Sequence, residues 1–483
     1  MTFLEKIRRF FAMQDLTKGS PMKGLISFSV PLLVGNFVQQ LYNTVDSAVV
    51  GTYIGDAALA AVGASGPILN LLIVLFMGVA TGASIITAQV FGAKNRQELG
   101  RVVGSTIFLL AVSGVTMMVV GYFLSPVLIA MVAPPPEVAE GAVAYLQIIF
   151  LGIMGAAAYN ILSLVLRGMG DSFYPLVFLV TASLINIVLD ILFVSQFGMG
   201  IGGVALATVI AQMVSGLLCL VRLIRLRGMM DLTWRSLRPD FRILVKIFQL
   251  GTPAAISQVI FSLSGIVVQG LILSMGTAVA AASVAVMRVD GFCMMPTFTY
   301  GSASTTFTAQ NLGARQFRRV QEGTRVMLRL AVCTSAVLIG LVLFFGRNLL
   351  ELFTQTPEVV SIGVRGLRWL AAGYLVFGIS QVLRGVMSGV GETRIPMYIA
   401  IVNILVFRLP LAYLFIALTR SPACPHGVPD AIFSSLMINW VMGGVVTVLV
   451  YRYGKWRRRL TPAGWEDRQA DGPGEGKAGP GVE

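Results

Sequence analysis

Long stretches without a charged residue are the feature that most constrains this chain. Residues 68–90 and 102–132 contain no Asp, Glu, Lys or Arg. Each stretch exceeds the roughly 20 apolar residues that carry a helix across a hydrocarbon core of about 30 Å. Charged residues make up only 12% of the chain, against about 25% in soluble domains. The sequence therefore predicts an all-α polytopic membrane protein.

Apolar stretches long enough to span a bilayer occur twelve times. We place the transmembrane helices near residues 25–50, 57–90, 101–124, 138–166, 173–196, 201–225, 243–273, 278–311, 321–346, 360–386, 395–418 and 428–451. In this arrangement most of the 36 Lys and Arg residues lie on the face that carries both chain ends. Basic residues are retained on the cytoplasmic side of a membrane protein. We therefore expect a multi-pass protein of the bacterial inner (plasma) membrane with both termini in the cytoplasm.

The same arrangement predicts the domain organisation. We expect a cytoplasmic segment at 1–24, a six-helix bundle at 25–225, a basic cytoplasmic linker at 226–242, a second six-helix bundle at 243–451, and a tail at 452–483 that is first basic and then disordered. The net charge of +14 follows from the basic residues on one face of the bilayer. The expected environment is thus the lipid bilayer, with no nucleic-acid partner, and the protein is expected to be a monomer.

Three short motifs each occur twice at one separation. Residues 54–61 resemble 275–282, residues 88–94 resemble 309–315, and residues 167–171 resemble 388–392, always 221 positions apart. One such match could arise by chance, because small residues are common in membrane helices, but three at one separation indicate a duplication. Each half holds six helices, so both halves enter the membrane from the same side. In transporters with such parallel repeats, the substrate site lies between the repeats.

At these motifs the sequence resembles the MATE (multidrug and toxic compound extrusion) transporters. The resemblance is carried by Val45-Asp46 to Val50-Gly51, Ala57 to Val62, Gly82-Ala83-Ser84, Phe91-Gly92-Ala93, Leu166 to Asp171, Ile185-Asn186 with Leu189-Asp190, and Gln310 to Ala314. It implies two six-helix bundles around a central cavity and export of lipophilic organic cations in exchange for H⁺ or Na⁺. Residues 259–274 and 366–381 carry no acid, so the acids concentrate in the first half, as in the DinF-like branch. No cofactor is expected.

Two acids in the first half are the strongest candidates for cation coupling. Asp46 and Asp190 lie at similar depth, because each follows about 17–19 residues of a helix that starts on the same face. Asn186 precedes Asp190 by one helical turn, and Thr208 reaches the same depth. The resemblance assigns coupling to Asp46, Asp190, Asn186 and Thr208, and also to Asn160, which lies deeper.

These side chains offer hard oxygen ligands for Na⁺, and two neighbouring carboxyl groups can hold a proton near neutral pH. Transported cations would then compete with H⁺ or Na⁺ for the same charges. The alternative is that the polar side chains only join helices, through hydrogen bonds of about 0.6 kcal/mol each.

The second half offers a different set of candidates. Asp290 and Arg408 both fall within predicted helices, and they either form a buried ion pair or contact the substrate. Met287, Met294 and Met295 are candidates for the lining of an adaptable drug cavity, with packing as the alternative.

Pro31 lies fifteen residues before Asp46 in the first helix. A proline inside a helix removes a backbone hydrogen bond and favours a kink. The kink is either a hinge that responds to the state of Asp46 or a fixed bend.

Three functions remain open at this point. The first is a secondary antiporter that exports lipophilic organic cations by alternating access. The second is a flippase for lipid-linked oligosaccharides or lipids, which needs several basic residues in its cavity, whereas the sequence places only Arg288 and Arg408 away from both membrane faces. The third is a membrane-embedded enzyme, for which the sequence offers one histidine, no clustered catalytic motif and no Walker sequence.

Overall fold

The computed structural model describes residues 13–132, 134–231, 236, 238–422, 425 and 427–461. Helices of the first half are α1 (Pro21–Tyr53), α2 (Asp56–Gly92), α3 (Arg96–Val132), α4 (Pro136–Leu151), α5 (Ile153–Gly168), α6 (Phe173–Ile191) and α7 (Gly200–Arg225). Those of the second half are α8 (Phe241–Ser274), α9 (Thr277–Gly313), α10 (Phe317–Glu351), α11 (Pro357–Gly389), α12 (Arg394–Val402), α13 (Leu409–Thr419) and α14 (Pro429–Tyr453). Two π-helical segments extend α6 (Leu192–Gln196) and join α12 to α13 (Asn403–Arg408). The predicted N-terminal segment (1–24) starts with residues 1–12, and the predicted tail (452–483) ends with residues 462–483. Both of these stretches lie outside the described residues.

Twelve membrane crossings account for these helices. Among the described residues, eleven helices are long and apolar enough to span a bilayer, with α12 and α13 forming one of them, and the bent pair α4–α5 supplies the twelfth. The all-α fold with twelve predicted helices is therefore confirmed. The fourth crossing is not the continuous helix expected at 138–166, because α4 and α5 meet at 54°. They meet at Gly152, where an added Cβ would lie 2.1 Å from Val209 Cγ1, so a residue without a side chain lets α7 approach the bend.

The crossings alternate in direction, which defines two faces. We call the face with the start of α1 and the end of α14 the terminal face, and the other the distal face. Helices α2, α5, α9 and α11 end at the terminal face, where Gly92, Gly168, Gly313 and Gly389 lie.

The duplication extends to the backbone conformation. Helices α2 and α9 have 37 residues each, and their first and last residues are 221 positions apart, as are those of the α4–α5 pair and α11. Left-handed residues also occur at equivalent positions: Gly55 and Gly276 (φ 104° and 105°), Lys94 and Arg315 (57° and 58°), and Gly170 and Gly391 (90° and 88°). A positive φ is uncommon outside glycine. The repeat therefore predicts backbone geometry as well as helix order.

The two halves meet at the terminal face through a symmetric pair of hydrogen bonds. Gln89 Nε2 of the first half donates to the Gly389 carbonyl (3.0 Å). Gln310 Nε2, at the equivalent position of the second half, donates to the Gly168 carbonyl (2.8 Å). We call these four residues the terminal clasp. The backbones of α2 and α9 also lie close to each other at Gln89 and Gln310. The terminal clasp therefore closes this face.

The chain start runs across the terminal clasp. The backbone N–H of Leu16 donates to Gln310 Oε1 (3.1 Å), and that of Gln14 donates to the Gly170 carbonyl (2.9 Å). Arg319 of α10 donates to the carbonyls of Leu16, Lys18 and Gly19 (2.7–3.2 Å). Residues 14–19 thereby tie both halves together at this face.

An ion pair fixes the turn between α5 and α6 against α7. Asp171 is fully buried, and the Arg222 Nε and Nη2 atoms both lie 2.9 Å from its Oδ2. Burial raises the pKa of the Asp171 carboxyl, and the Arg222 guanidinium opposes this shift. Removing one partner of a buried pair costs about 3–5 kcal/mol.

We expect Arg222→Ala to lower the thermal unfolding midpoint of the purified protein in detergent, because Asp171 is then buried without its partner. Arg225→Ala, an exposed arginine one turn later on α7, is the matched control and should leave the midpoint unchanged. Equal midpoints for the two variants would show that the pair is not needed for stability.

Candidate functional site

The carboxyl groups of Asp46 and Asp190 face each other inside the first half. Helix α1 packs against α6, and the two carboxyl groups lie close enough to interact directly. Asp190 is fully buried. Both of its oxygens, and Asp46 Oδ1, are buried without a hydrogen-bond partner in the described part of the chain. Two acceptor groups thus meet with no donor between them.

Four polar side chains complete this group. Asn186 Nδ2 donates to Thr208 Oγ1 over 3.4 Å, while Asn186 Oδ1 is buried and has no partner among the described residues. The hydroxyl of Tyr42 lies near Thr208, and Tyr145 lies within the electrostatic reach of Asp46. We call Tyr42, Asp46, Tyr145, Asn186, Asp190 and Thr208 the carboxylate cluster.

Helical spacing explains how the cluster assembles. Tyr42 and Asp46 are one turn apart on α1, as are Asn186 and Asp190 on α6, so each pair shares a helix face. Sequence reasoning missed both tyrosines. Tyr42 had a signal, its spacing of four residues from Asp46. Tyr145 had none, because it enters the cluster from α4, whose break from α5 the sequence did not predict.

Two other sequence candidates lie apart from these contacts. Asn160 Nδ2 donates to the Ala156 carbonyl of its own helix (2.8 Å), and no described contact joins it to the cluster. Pro31 is buried in α1, which continues through it without a break.

The chemistry of the carboxylate cluster suits a small cation. A proton placed between the two carboxyl groups would give one of them a donor for the other. A sodium ion would find hard oxygen ligands in Asp46, Asp190, Asn186 Oδ1 and Thr208. The unpartnered oxygens therefore fit either H⁺ or Na⁺.

The predicted Asp290–Arg408 ion pair is wrong. Asp290 Oδ1 accepts a hydrogen bond from the Tyr374 hydroxyl (3.0 Å), and the Arg408 guanidinium lies over the Phe261 ring, 4.8 Å from its centre. Depth along a helix does not fix the direction of a side chain, and Arg408 ends a π-helical segment whose extra residue per turn rotates it.

The five residues predicted to contact the substrate have different surroundings in the structure. A cavity of about 500 Å³ lies in the second half, and Arg408 is the only one of the five candidates that lines it. Met294 is buried in the apolar core of the second half, Met295 is partly buried, and Met287 is 61% exposed. These methionines face other directions because successive positions of α9 point to different sides.

Comparison with known proteins places these features in context. The family profile MatE matches residues 31–192 and again residues 253–414, one match in each half. The Bacillus subtilis protein named probable multidrug resistance protein YoeA is 32% identical over 84% of this chain and 89% of its own length. Probable multidrug resistance protein YpnP of the same organism is 28% identical over 92% of this chain and 97% of its own length.

Two further similarities bear on the predicted branch and the fold. DNA damage-inducible protein F of Escherichia coli is 26% identical over 75% of this chain and 78% of its own length. The crystal structure of a MATE protein in its bent conformation superimposes with a TM-score of 0.84 at 24% identity, covering 92% of this chain and 98% of that one.

Proposed function

The chain belongs to the MatE family, and from this premise we propose that it exports lipophilic organic cations, including drugs, in exchange for H⁺ or Na⁺. Members of the family are transporters, so the membrane-enzyme alternative does not apply. The names of the relatives support drug export as the direction of transport. We further propose that the protein acts as a monomer in the bacterial inner membrane, with the terminal face in the cytoplasm.

The observation that carries this proposal is the pair of facing carboxyl groups. Three of their four oxygens are buried without a hydrogen-bond partner among the described residues. An acid inside a membrane helix costs about 2.5–3.5 kcal/mol on insertion scales, and such residues are usually functional. Hydrogen bonding between helices alone would not require two acids facing each other.

Exchange follows if an entering cation and an organic cation compete for this negative charge. When H⁺ or Na⁺ binds at Asp46 and Asp190, the negative charge of the cluster decreases and the organic cation is held less strongly. The organic cation then leaves on the distal side. Release of the small cation restores the negative charge for the next substrate.

Alternating access requires two states, and the terminal clasp belongs to the state in which the terminal face is closed. It closes the terminal face through contacts between the halves, and rocking of one half against the other would open that face. The basic residues of the terminal face support its cytoplasmic placement, because basic residues are retained there.

Transport by the purified protein in proteoliposomes tests the proposal. A pH gradient and a sodium gradient are imposed one at a time, and we expect one of them to drive ethidium transport. The gradient that drives transport identifies the coupling ion. Protein-free liposomes are the control. Absence of transport under both gradients, for protein that is folded and correctly inserted, would contradict cation exchange.

A further inference from the structure

The second-half cavity carries positive charge. It is bounded by α8, α9, α11, α12, the following π-helical segment and α14 of the second half, and by Met77 of α2. Arg384 and Arg408 are its charged lining residues, and no Asp or Glu lines it within the described part of the chain. Arginine remains charged at neutral pH, so the cavity presents two guanidinium groups.

Neither guanidinium is fully satisfied by the protein. Arg384 Nε, Arg408 Nε and Arg408 Nη1 are buried and have no hydrogen-bond partner among the described residues. Two acids of the second half are engaged elsewhere, since Asp290 accepts a hydrogen bond from Tyr374 and Glu392 pairs with Arg459. Unpaired charge inside a membrane protein is costly and marks functional positions.

The other lining residues indicate which chemical groups a ligand of this cavity would carry. Ser380 and Thr393 bring hydroxyl groups that have no hydrogen-bond partner in the described chain, and Asn403 and Asn439 bring amides with an unpartnered oxygen. Aromatic rings also line the cavity: Phe261, which lies under the Arg408 guanidinium, and Phe298, Phe377 and Trp440. The cavity thus joins a cationic, hydrogen-bonding region to an aromatic one.

The duplication shows that this charge belongs to one half only. At the separation of 221 residues, Arg384 corresponds to Ser163 of the first half, and Asp46 corresponds to Val267 of the second. The first half has acids where the second is apolar, and the second has an arginine where the first has serine. The two halves therefore differ in charge at these equivalent positions.

We propose that the second-half cavity binds an amphiphilic organic anion, whose carboxylate or phosphate group pairs with Arg384 and Arg408 while its apolar body packs on the aromatic rings. The planar guanidinium matches both anionic groups through two parallel hydrogen bonds. This inference goes beyond the proposed export of organic cations, which uses the acids of the first half.

Binding of 1-pyrenebutyrate, an aromatic monoanion, to the purified full-length protein tests the inference by fluorescence anisotropy. We expect Arg384→Gln and Arg408→Gln each to weaken binding by about tenfold or more, because each removes a charged partner. Arg347→Gln is the matched control, since Arg347 lies on α10 and pairs with Glu351, and it should bind like the wild type. Arg384→Lys and Arg408→Lys keep the positive charge but not the two parallel hydrogen bonds of a guanidinium, so their affinity for 1-pyrenebutyrate should be intermediate. These variants provide a second test if a glutamine variant does not fold.

The anion has two sources that the experiment separates. If an anionic lipid supplies the phosphate, phosphatidylglycerol should co-purify with the wild type, be displaced by 1-pyrenebutyrate and be lost from the double glutamine variant, as measured by mass spectrometry. If the ligand is a free organic anion, 1-pyrenebutyrate should bind and no lipid should be retained. Equal affinity for 1-pyrenebutyrate in the wild type and in the folded arginine variants would overturn the inference, whether or not ethidium transport is intact.

Discussion

Asp190→Asn is expected to reduce gradient-driven ethidium transport in proteoliposomes by about a hundredfold, which corresponds to about 2.7 kcal/mol of activation free energy. The amide has nearly the same shape as the carboxyl group but neither titrates nor carries the negative charge that holds a cation. Asp190 is fully buried beside Asp46. Solvent therefore does not make up for the negative charge that the substitution removes. Asp46→Asn should have the same effect.

Asp290→Asn is the matched control for these variants. Asp290 also lies in a membrane helix, but its Oδ1 accepts from Tyr374, and an amide oxygen can accept the same bond. Its transport rate should stay close to that of the wild type. Full gradient-driven transport by both Asp46→Asn and Asp190→Asn would show that coupling takes place elsewhere.

Gly313→Ala is expected to abolish most transport by preventing closure of the terminal face. An added Cβ at Gly313 would lie 1.8 Å from the backbone oxygen of Gln89, and one at Gly92 would lie 1.9 Å from that of Gln310. Backbone atoms cannot rotate away, so the two halves must separate. Overpacking costs about 1–3 kcal/mol, which shifts a two-state equilibrium by about 5- to 150-fold.

Double electron–electron resonance measures this separation. Nitroxide labels at Gln97 and Arg318, two exposed positions at the terminal face in different halves, should move apart in Gly313→Ala. The labels require a background without the native cysteines. Gly265→Ala is the control, since an added Cβ there meets nothing within 4 Å, and it should leave the distance unchanged. An unchanged distance in Gly313→Ala as well would mean that the clasp does not hold the halves together.

The sequence predicted the repeat and the depth of the key acids well, for physical reasons. A fixed separation of 221 residues specifies equivalent turns, so even the left-handed Lys94 and Arg315 recur together. Asp46 and Asp190 come after similar lengths of helices that start on the same face. Since each residue adds a constant rise along a helix, counting residues gives their depth.

Direction around the helix was less predictable. The positions of Asp290 and Arg408 inside the membrane allowed either an ion pair or a substrate contact, and in the structure the two side chains face different neighbours. The π-helical segment Asn403–Arg408 and the bend at Gly152 both depend on packing between helices that are distant in sequence. Arg384 falls near the end of the predicted helix 360–386, and only the packing of the other helices shows that it lines the second-half cavity.

Labelling with a hydrophobic carbodiimide tests the central claim most directly, because this reagent modifies protonated carboxyl groups inside membranes. Mass spectrometry of the labelled protein identifies the modified residue, with Asp290 as the internal reference. The account predicts modification of Asp46 or Asp190 that decreases when ethidium is added, while modification of Asp290 does not change. Modification of Asp46 and Asp190 at the same rate with and without saturating ethidium would contradict competition between the organic cation and the small cation at this site.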